Sequence, residues 1–209
     1  MSGVSVLSDC ARTTLAVLAG GEGRRMGGPK GTLALDGRPI LERLLDRLDW
    51  PGPTLLVTAP GRQHPPASQR FTSEATDPVA GQGPLRGILT ALEHAPTNEV
   101  IVLPCDMPNV TPPPLAWLAA RLRENSAAAA VMLEHQGRIQ PLPAAFHART
   151  SRILVRAHLA DGRMALHRLT ESSKVAVVSA SSDWPSNFWV NLNKPSDLTA
   201  YSAGPVAVS

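Results

Sequence analysis

Residues 15–30 read Leu-Ala-Val-Leu-Ala-Gly-Gly-Glu-Gly-Arg-Arg-Met-Gly-Gly-Pro-Lys, and this stretch constrains the chain more than any other. A short apolar run breaks into glycines and ends on Lys30. That is the pattern of a buried strand feeding a phosphate-cradling loop. The glycines let backbone N–H groups come close to an anion, and Arg24, Arg25 and Lys30 add positive charge beside the strand end. The two commonest loops of this kind do not fit. A Walker loop carries Ser or Thr after its lysine to hold magnesium, whereas Gly31 follows Lys30. A dinucleotide fingerprint needs its third glycine where Met26 stands.

The rest of the chain alternates strand and helix signals. Residues 14–19 form the first strand. After the glycine loop, 32–35 is an extended piece, and Asp36-Gly37 makes a turn. Pro39 opens a helix with Ile40, Leu41, Leu44, Leu45 and Leu48 on one face, and Pro51 and Pro53 stop it. Residues 55–57 are the next strand. Residues 59–70 and 73–84 are loops, the second carrying Asp77, Gly81 and Gly83. Pro84 starts a helix lined by Leu85, Ile88, Leu89 and Leu92.

Residues 99–103 form the clearest central strand, which ends in Pro104-Cys105-Asp106-Met107-Pro108. Three prolines, 112–114, precede a helix, and 127–133 reads as a strand. Residues 140–147 are extended and proline-broken. Short helices near 149–160 and 163–171, a strand at 175–179 and a terminal helix opened by Pro195 complete the chain. Such alternation implies an α/β fold, a three-layer α/β/α sandwich around a mostly parallel, Rossmann-like sheet. Residues 1–12 read as a flexible leader and 13–209 as one domain. Ligands of such sheets bind outside the carboxyl ends of the strands. The glycine loop and Asp106 therefore belong to the same edge.

Charge and cysteine usage exclude several classes. Twenty Lys and Arg against 17 Asp and Glu leave +3. That excess suits an anionic small ligand and is too small and scattered for a nucleic-acid surface. Cys10 and Cys105 have no metal-like spacing, which argues against a zinc site or a disulfide scaffold and fits a cytoplasmic chain. No apolar run approaches the ~20 residues of a membrane span.

Four segments together resemble the nucleotidyltransferases of the molybdenum cofactor guanylyltransferase type. Residues 18–30 are similar to that family's L-A-G-G-x-G-x-R-M-G-x-x-K loop, and 83–87 to its G-P-L-x-G segment. Residues 103–108 resemble its C-D-x-P motif, and 191–198 its N-x-N-x-P-x-[DE]-L motif. The four stand in the family's order and span 14–198. One position departs from the pattern: the asparagine often found after the second strand is absent from Val57-Thr58-Ala59-Pro60-Gly61.

The resemblance implies a nucleotidyltransferase fold and a set of roles. Leu18, Ala19, Gly20, Gly21 and Gly23 would wrap an NTP, the first three touching base and ribose through their backbone. Lys30 and, more weakly, Arg25 would neutralise the triphosphate as pyrophosphate leaves. Asp106 would bind Mg2+, which takes one or two carboxylates plus phosphate oxygens. Asp77 matches an acidic residue of the nucleotide site, with a turn aspartate before Pro78 as the competing reading. Asn191 and Asn193 alternate on an extended piece, share a side, and would meet the pterin. Trp184, Phe188 and Trp189 offer flat faces to a ring, or simply pack one another.

The implied reaction transfers GMP from GTP to the terminal phosphate of molybdopterin, forming a guanine dinucleotide cofactor for molybdoenzymes or their chaperones. L-A-G-G in place of L-A-A-G, with G-P-L-x-G, favours guanine over cytosine. A cytidylyltransferase for the same cofactor, a sugar- or polyol-phosphate nucleotidyltransferase, and a non-catalytic nucleotide- or cofactor-binding chaperone are the alternatives.

Overall fold

Six apolar or β-branched residues, Thr13–Leu18, make the central strand β1. The computed structural model describes residues 9–21, 23 and 28–202. Chain order then gives β2 (Ala34–Leu35), β3 (Arg38–Pro39), helix α1 (Ile40–Leu48), β4 (Thr54–Thr58) and β5 (Ser73–Thr76). Helix α2 (Gly83–His94), β6 (Glu99–Pro104), α3 (Pro112–Glu124) and β7 (Ala130–His135) follow. The chain closes with β8 (Arg138–His147), α4 (Ala148–Ala160), β9 (Val175–Ser179) and α5 (Pro195–Ser202).

Seven strands form one sheet in the order β5-β4-β1-β6-β8-β7-β9. β5, β4, β1 and β6 are parallel neighbours. β8 alone runs against both β6 and β7, and β9 is parallel to β7. The expected mostly parallel sheet is therefore present, with one reversed strand. β7 returns into β8 through Gln136 and Gly137, whose φ values of 52° and 71° are what a tight two-residue hairpin requires.

Alternation along β1 divides the core. Leu15 and Val17 face a cluster built on α1 and α3, which also buries Phe188 and Leu192. Ala16 faces the opposite cluster, with Leu55 and Val57 of β4, α2 and Val155 of α4. Two covered faces make the sandwich. Each fully buried Leu or Ile of α1 adds roughly 1.5–3 kcal/mol as an upper bound.

Several boundaries differ from the sequence reading. Residues 73–76 are a strand rather than the start of a loop: only Ala75 is buried, so this edge strand lacks an apolar run. α1 ends at Leu48 because Asp49 turns left-handed (φ 38°) and its N–H bonds Leu45 O, before Pro51 is reached. The three prolines of 112–114 lie inside α3, where the first turn has no N–H bonds to lose. Residues 163–171 supply only the 3-10 turns Leu166–Glu171. The end of the expected leader, Asp9–Arg12, is a 3-10 turn with Cys10 fully buried. A Cβ on Gly52 would stand 2.5 Å from both Cys10 O and Thr13 O, so a glycine is needed where this turn packs. Residues 1–8 lie outside the described residues.

Candidate active site

The carboxyl ends of the four parallel strands converge on one cleft of about 670 Å³. β1 brings Leu18, β4 leads to Ala59, β5 to Asp77, and β6 to Pro104, Cys105 and Asp106. The ladder continues past the strands: Ala19 N–H bonds Val57 O at 2.8 Å, Cys105 N–H bonds Leu18 O at 3.1 Å, and Asp77 N–H bonds Thr58 O at 2.9 Å. The site residues are thus fixed by backbone, which suits a rigid cradle.

The glycine loop folds back on itself, with Lys30 N–H donating to Gly21 O at 3.2 Å. Gly23 sits at φ 56°, and a Cβ there would fall 1.9 Å from Gly28 O, so no other residue closes the loop. The missing Walker hydroxyl also has a structural reason. Gly31 is buried, and a Cβ on it would lie 3.1 Å from both Ala19 Cβ and Pro65 Cγ. Ala19 and the loop following β4 crowd the place a serine or threonine would take. Arg25 and Arg24 lie outside the described residues.

Lys30 Nζ forms an ion pair with Asp106 Oδ2 and donates to Asn193 Oδ1 at 2.7 Å. These three residues, separated widely in sequence, meet on the cleft wall. Asp106 is 6% exposed, and its Oδ1 is buried without a hydrogen-bond partner. An orphaned carboxylate oxygen is costly unless something else satisfies it. A carboxylate with a free oxygen beside a phosphate cradle fits the one-carboxylate, phosphate-completed coordination that Mg2+ accepts. Among the described residues no group of three or more His, Cys, Asp or Glu could hold a metal unaided. Burial pushes the neighbouring Cys105 thiol up to about 12, with the Asp106 charge adding to it and Lys30 opposing, so this thiol stays protonated and inert.

Asp77 occupies the other end of the cleft. It is 9% exposed, and its Oδ1 has no partner. Burial raises its pKa, and the Thr90 hydroxyl and Arg86 charge oppose that only in part. Gly87 of α2 makes room here: a Cβ on it would stand 3.3 Å from Leu18 and 3.8 Å from Asp77 Oδ2. Gly20 packs equally close to Ala59, with only 3.0 Å between a would-be Cβ and Ala59 N. Where the family pattern often has asparagine, this wall is therefore backbone and methyl.

The two asparagines expected to act together separate. Asn193 lines the cleft, whereas Asn191 is exposed and donates its own amide to Trp189 O at 3.0 Å. Nor do the nearby aromatics present an open face as a group. Phe188 is buried, Trp184 meets Trp117 edge-on at 5.3 Å, and His135 stacks on Trp189 at 4.5 Å. Arg62 and Gln82 also line the cleft and went unremarked in the sequence. Their position in loops after β4 and β5, on the ligand edge of the sheet, was the available signal for both.

Comparison with known proteins agrees with this geometry. The family model described as a MobA-like NTP transferase domain matches residues 15–180. A molybdenum cofactor guanylyltransferase of Vibrio cholerae is 34% identical, covering 91% of this chain and 92% of its own. A probable molybdenum cofactor guanylyltransferase of Geobacillus is 31% identical, over 87% and 94%. Among solved structures, molybdopterin-guanine dinucleotide biosynthesis protein A from Archaeoglobus fulgidus aligns with a TM-score of 0.77 at 26% identity, covering 91% of this chain and 97% of its own. A cytidylyltransferase of Thermus thermophilus, at 18% identity and a TM-score of 0.65, shares the fold. The chain belongs to the MobA-like NTP transferase family.

Proposed function

We propose that this chain transfers the GMP unit of GTP to the terminal phosphate of molybdopterin and releases pyrophosphate. The observation that carries the reading is the meeting of Lys30 with the buried, half-satisfied Asp106 beside the glycine loop. The names of the relatives supply the substrates: the Vibrio and Geobacillus proteins are guanylyltransferases of the molybdenum cofactor.

The reaction balances as follows. An oxygen of the acceptor phosphate forms a bond to the α-phosphorus of GTP, the bond from that phosphorus to the bridging oxygen breaks, and pyrophosphate leaves with the electron pair. The chain's task is to place charge, because phosphoryl-type transition states need little covalent help. The loop N–H groups orient the triphosphate, and Lys30 faces the charge that grows on the leaving group. Asp106 would hold Mg2+, which would supply charge to neutralise phosphate oxygens. Leu18, Ala19 and Gly20 offer backbone groups to the base and ribose, and Asp77 offers a carboxylate at the same end. Asn193 stands on the acceptor side.

A reducing cytoplasm suits the two buried thiols Cys10 and Cys105, and among the described residues no helix is long and apolar enough to cross a membrane. The product would pass to molybdoenzymes or their chaperones. The test is pyrophosphate release with Mg2+ and molybdopterin, using GTP, CTP, ATP and UTP in turn. Release with GTP alone, lost on chelation of the metal, is the expected result. Selective turnover of CTP overturns the guanylyl assignment, and binding without release from any nucleotide overturns the enzyme.

A further inference from the structure

Asn193 reaches Lys30 from the far end of the chain, and something must hold it there. Its side chain is exposed, on an extended segment between the 3-10 turn Ser186–Trp189 and α5. Two bonds fasten that segment to the reaction centre. Leu192 N–H donates to the backbone carbonyl of Asp106 at 2.9 Å, and Lys30 Nζ donates to Asn193 Oδ1 at 2.7 Å. Behind them stands Asp197 in the first turn of α5. Its Oδ2 accepts the N–H of Asn193 at 2.8 Å and that of Lys194 at 3.0 Å, while its own N–H bonds Lys194 O at 2.9 Å. A carboxylate reaching back over the start of a helix is half of a capping box. Here the same contact fixes where Asn193 leaves the backbone.

We infer that Asp197 is a positioning residue for the transfer step, acting through Asn193 to hold the Lys30 ammonium where the triphosphate meets it. The inference rests on the nucleotidyl-transfer reading given above. Both of the side-chain bonds end on one oxygen, so an acceptor is required and a charge is not. Misplacing a reacting group by about 1 Å costs up to ~100-fold in rate, which gives a contact this remote a measurable effect.

The test compares the wild-type chain with Asp197→Leu, Asp197→Asn, Asn193→Ala and the double variant Asp197→Leu/Asn193→Ala. Pyrophosphate release is measured with GTP, Mg2+ and molybdopterin, alongside melting temperatures. Asp197→Leu lowers kcat about tenfold or more, with KM for GTP within about twofold of wild type. Asp197→Asn restores most of that loss. In the Asn193→Ala background the Asp197→Leu change adds no further loss, because both act through one contact. A helix cap with no other role would lower the melting temperature and leave kcat alone, and that result overturns the inference, as does a full second loss in the double variant.

A second readout needs no turnover. The rate at which an amine-reactive ester acylates Lys30, followed by peptide mass spectrometry, rises roughly twofold or more in both Asp197→Leu and Asn193→Ala. An unchanged rate in Asp197→Leu overturns the inference. Should the wild-type chain release no pyrophosphate, the nucleotidyl-transfer reading fails, while the acylation rates still decide whether Asp197 positions Lys30.

Discussion

β1 and β6 run side by side, and their two ends are finished differently. At the start, side chains from several elements join in one network. Thr13 Oγ1 donates to Glu99 Oε2 at 2.9 Å. Arg123 donates to that carboxylate, to Thr13 Oγ1 and to Asp9 O. The hydroxyls of Thr14 and Thr97 lie 2.6 Å apart, and the Trp50 indole donates to Thr13 O at 2.9 Å. At the other end the same sheet opens into a cleft where Asp106 Oδ1 and Asp77 Oδ1 are buried without partners. Satisfied buried groups rigidify, and unsatisfied ones cost stability unless a ligand completes them. One end of these strands ties the sheet together, and the other opens into the cleft.

Substitutions at the two ends should therefore fail in different ways. The largest effect is expected for Lys30→Ala. Pyrophosphate release falls by ~10²–10³-fold, the loss typical of a removed transition-state charge, and the melting temperature moves little. Steady-state kinetics and a thermal melt on the same sample check this. A matching drop in melting temperature would mean that the Lys30–Asp106 pair is structural like its counterpart at the opposite end.

Arg123→Ala tests that counterpart. It removes three contacts to the strand starts and should destabilise the fold by about 1–2 kcal/mol, discounted because the side chain is partly exposed. kcat should not change. The effect depends on pH. Burial of Glu99 works to raise its pKa, but the bonds from Arg123 and Thr13 outweigh that and hold it low. A lowered folded value gives stability that is present above the unfolded carboxylate range and lost as pH falls through the folded value. Denaturant melts at neutral and acid pH should show the difference between Arg123→Ala and wild type shrinking in acid.

Asp77→Asn has the smallest expected effect on the fold, and the opposite sign. A pKa raised by burial means the charged form costs stability above that value, and the cost disappears as pH falls through it. The substitution should therefore raise the melting temperature slightly at neutral pH, and less in acid. It should also raise KM for GTP if the carboxylate meets the nucleotide. A lower melting temperature at neutral pH would place Asp77 among the satisfied structural groups.

The two ends also differ in how legible they were. The apolar run of β1, the glycines after it and the Pro104–Pro108 segment mark the carboxyl edge of the sheet by local pattern alone, and Leu18, Gly20, Gly21, Gly23 and residues 104–106 line the cleft there. The structural end was hidden. Cys10 falls in a stretch that reads as a loose leader, because its turn packs on Gly52, brought in from another part of the chain. β5 carries no strand pattern of its own, because Ser-Glu-Ala-Thr offers one inward residue and takes its strand form from pairing with β4. The reversed direction of β8 rests on the two residues Gln136 and Gly137, a short turn signal between two extended stretches. Within the site, the Lys30–Asn193 contact joins residues 163 apart in sequence, and the separation of Asn191 from Asn193 depends on the Trp189 carbonyl. Alternation on an extended segment predicts a shared side only while the segment stays regular.

The most direct measurement is pyrophosphate release from GTP by Asp106→Asn, with a thermal melt of the same preparation. The substitution keeps the shape of the side chain and removes the charge. A fall of at least about 100-fold with the melting temperature within a few degrees of wild type is the expected result. Turnover within a few-fold of wild type would contradict the assignment of this strand end as the reaction centre.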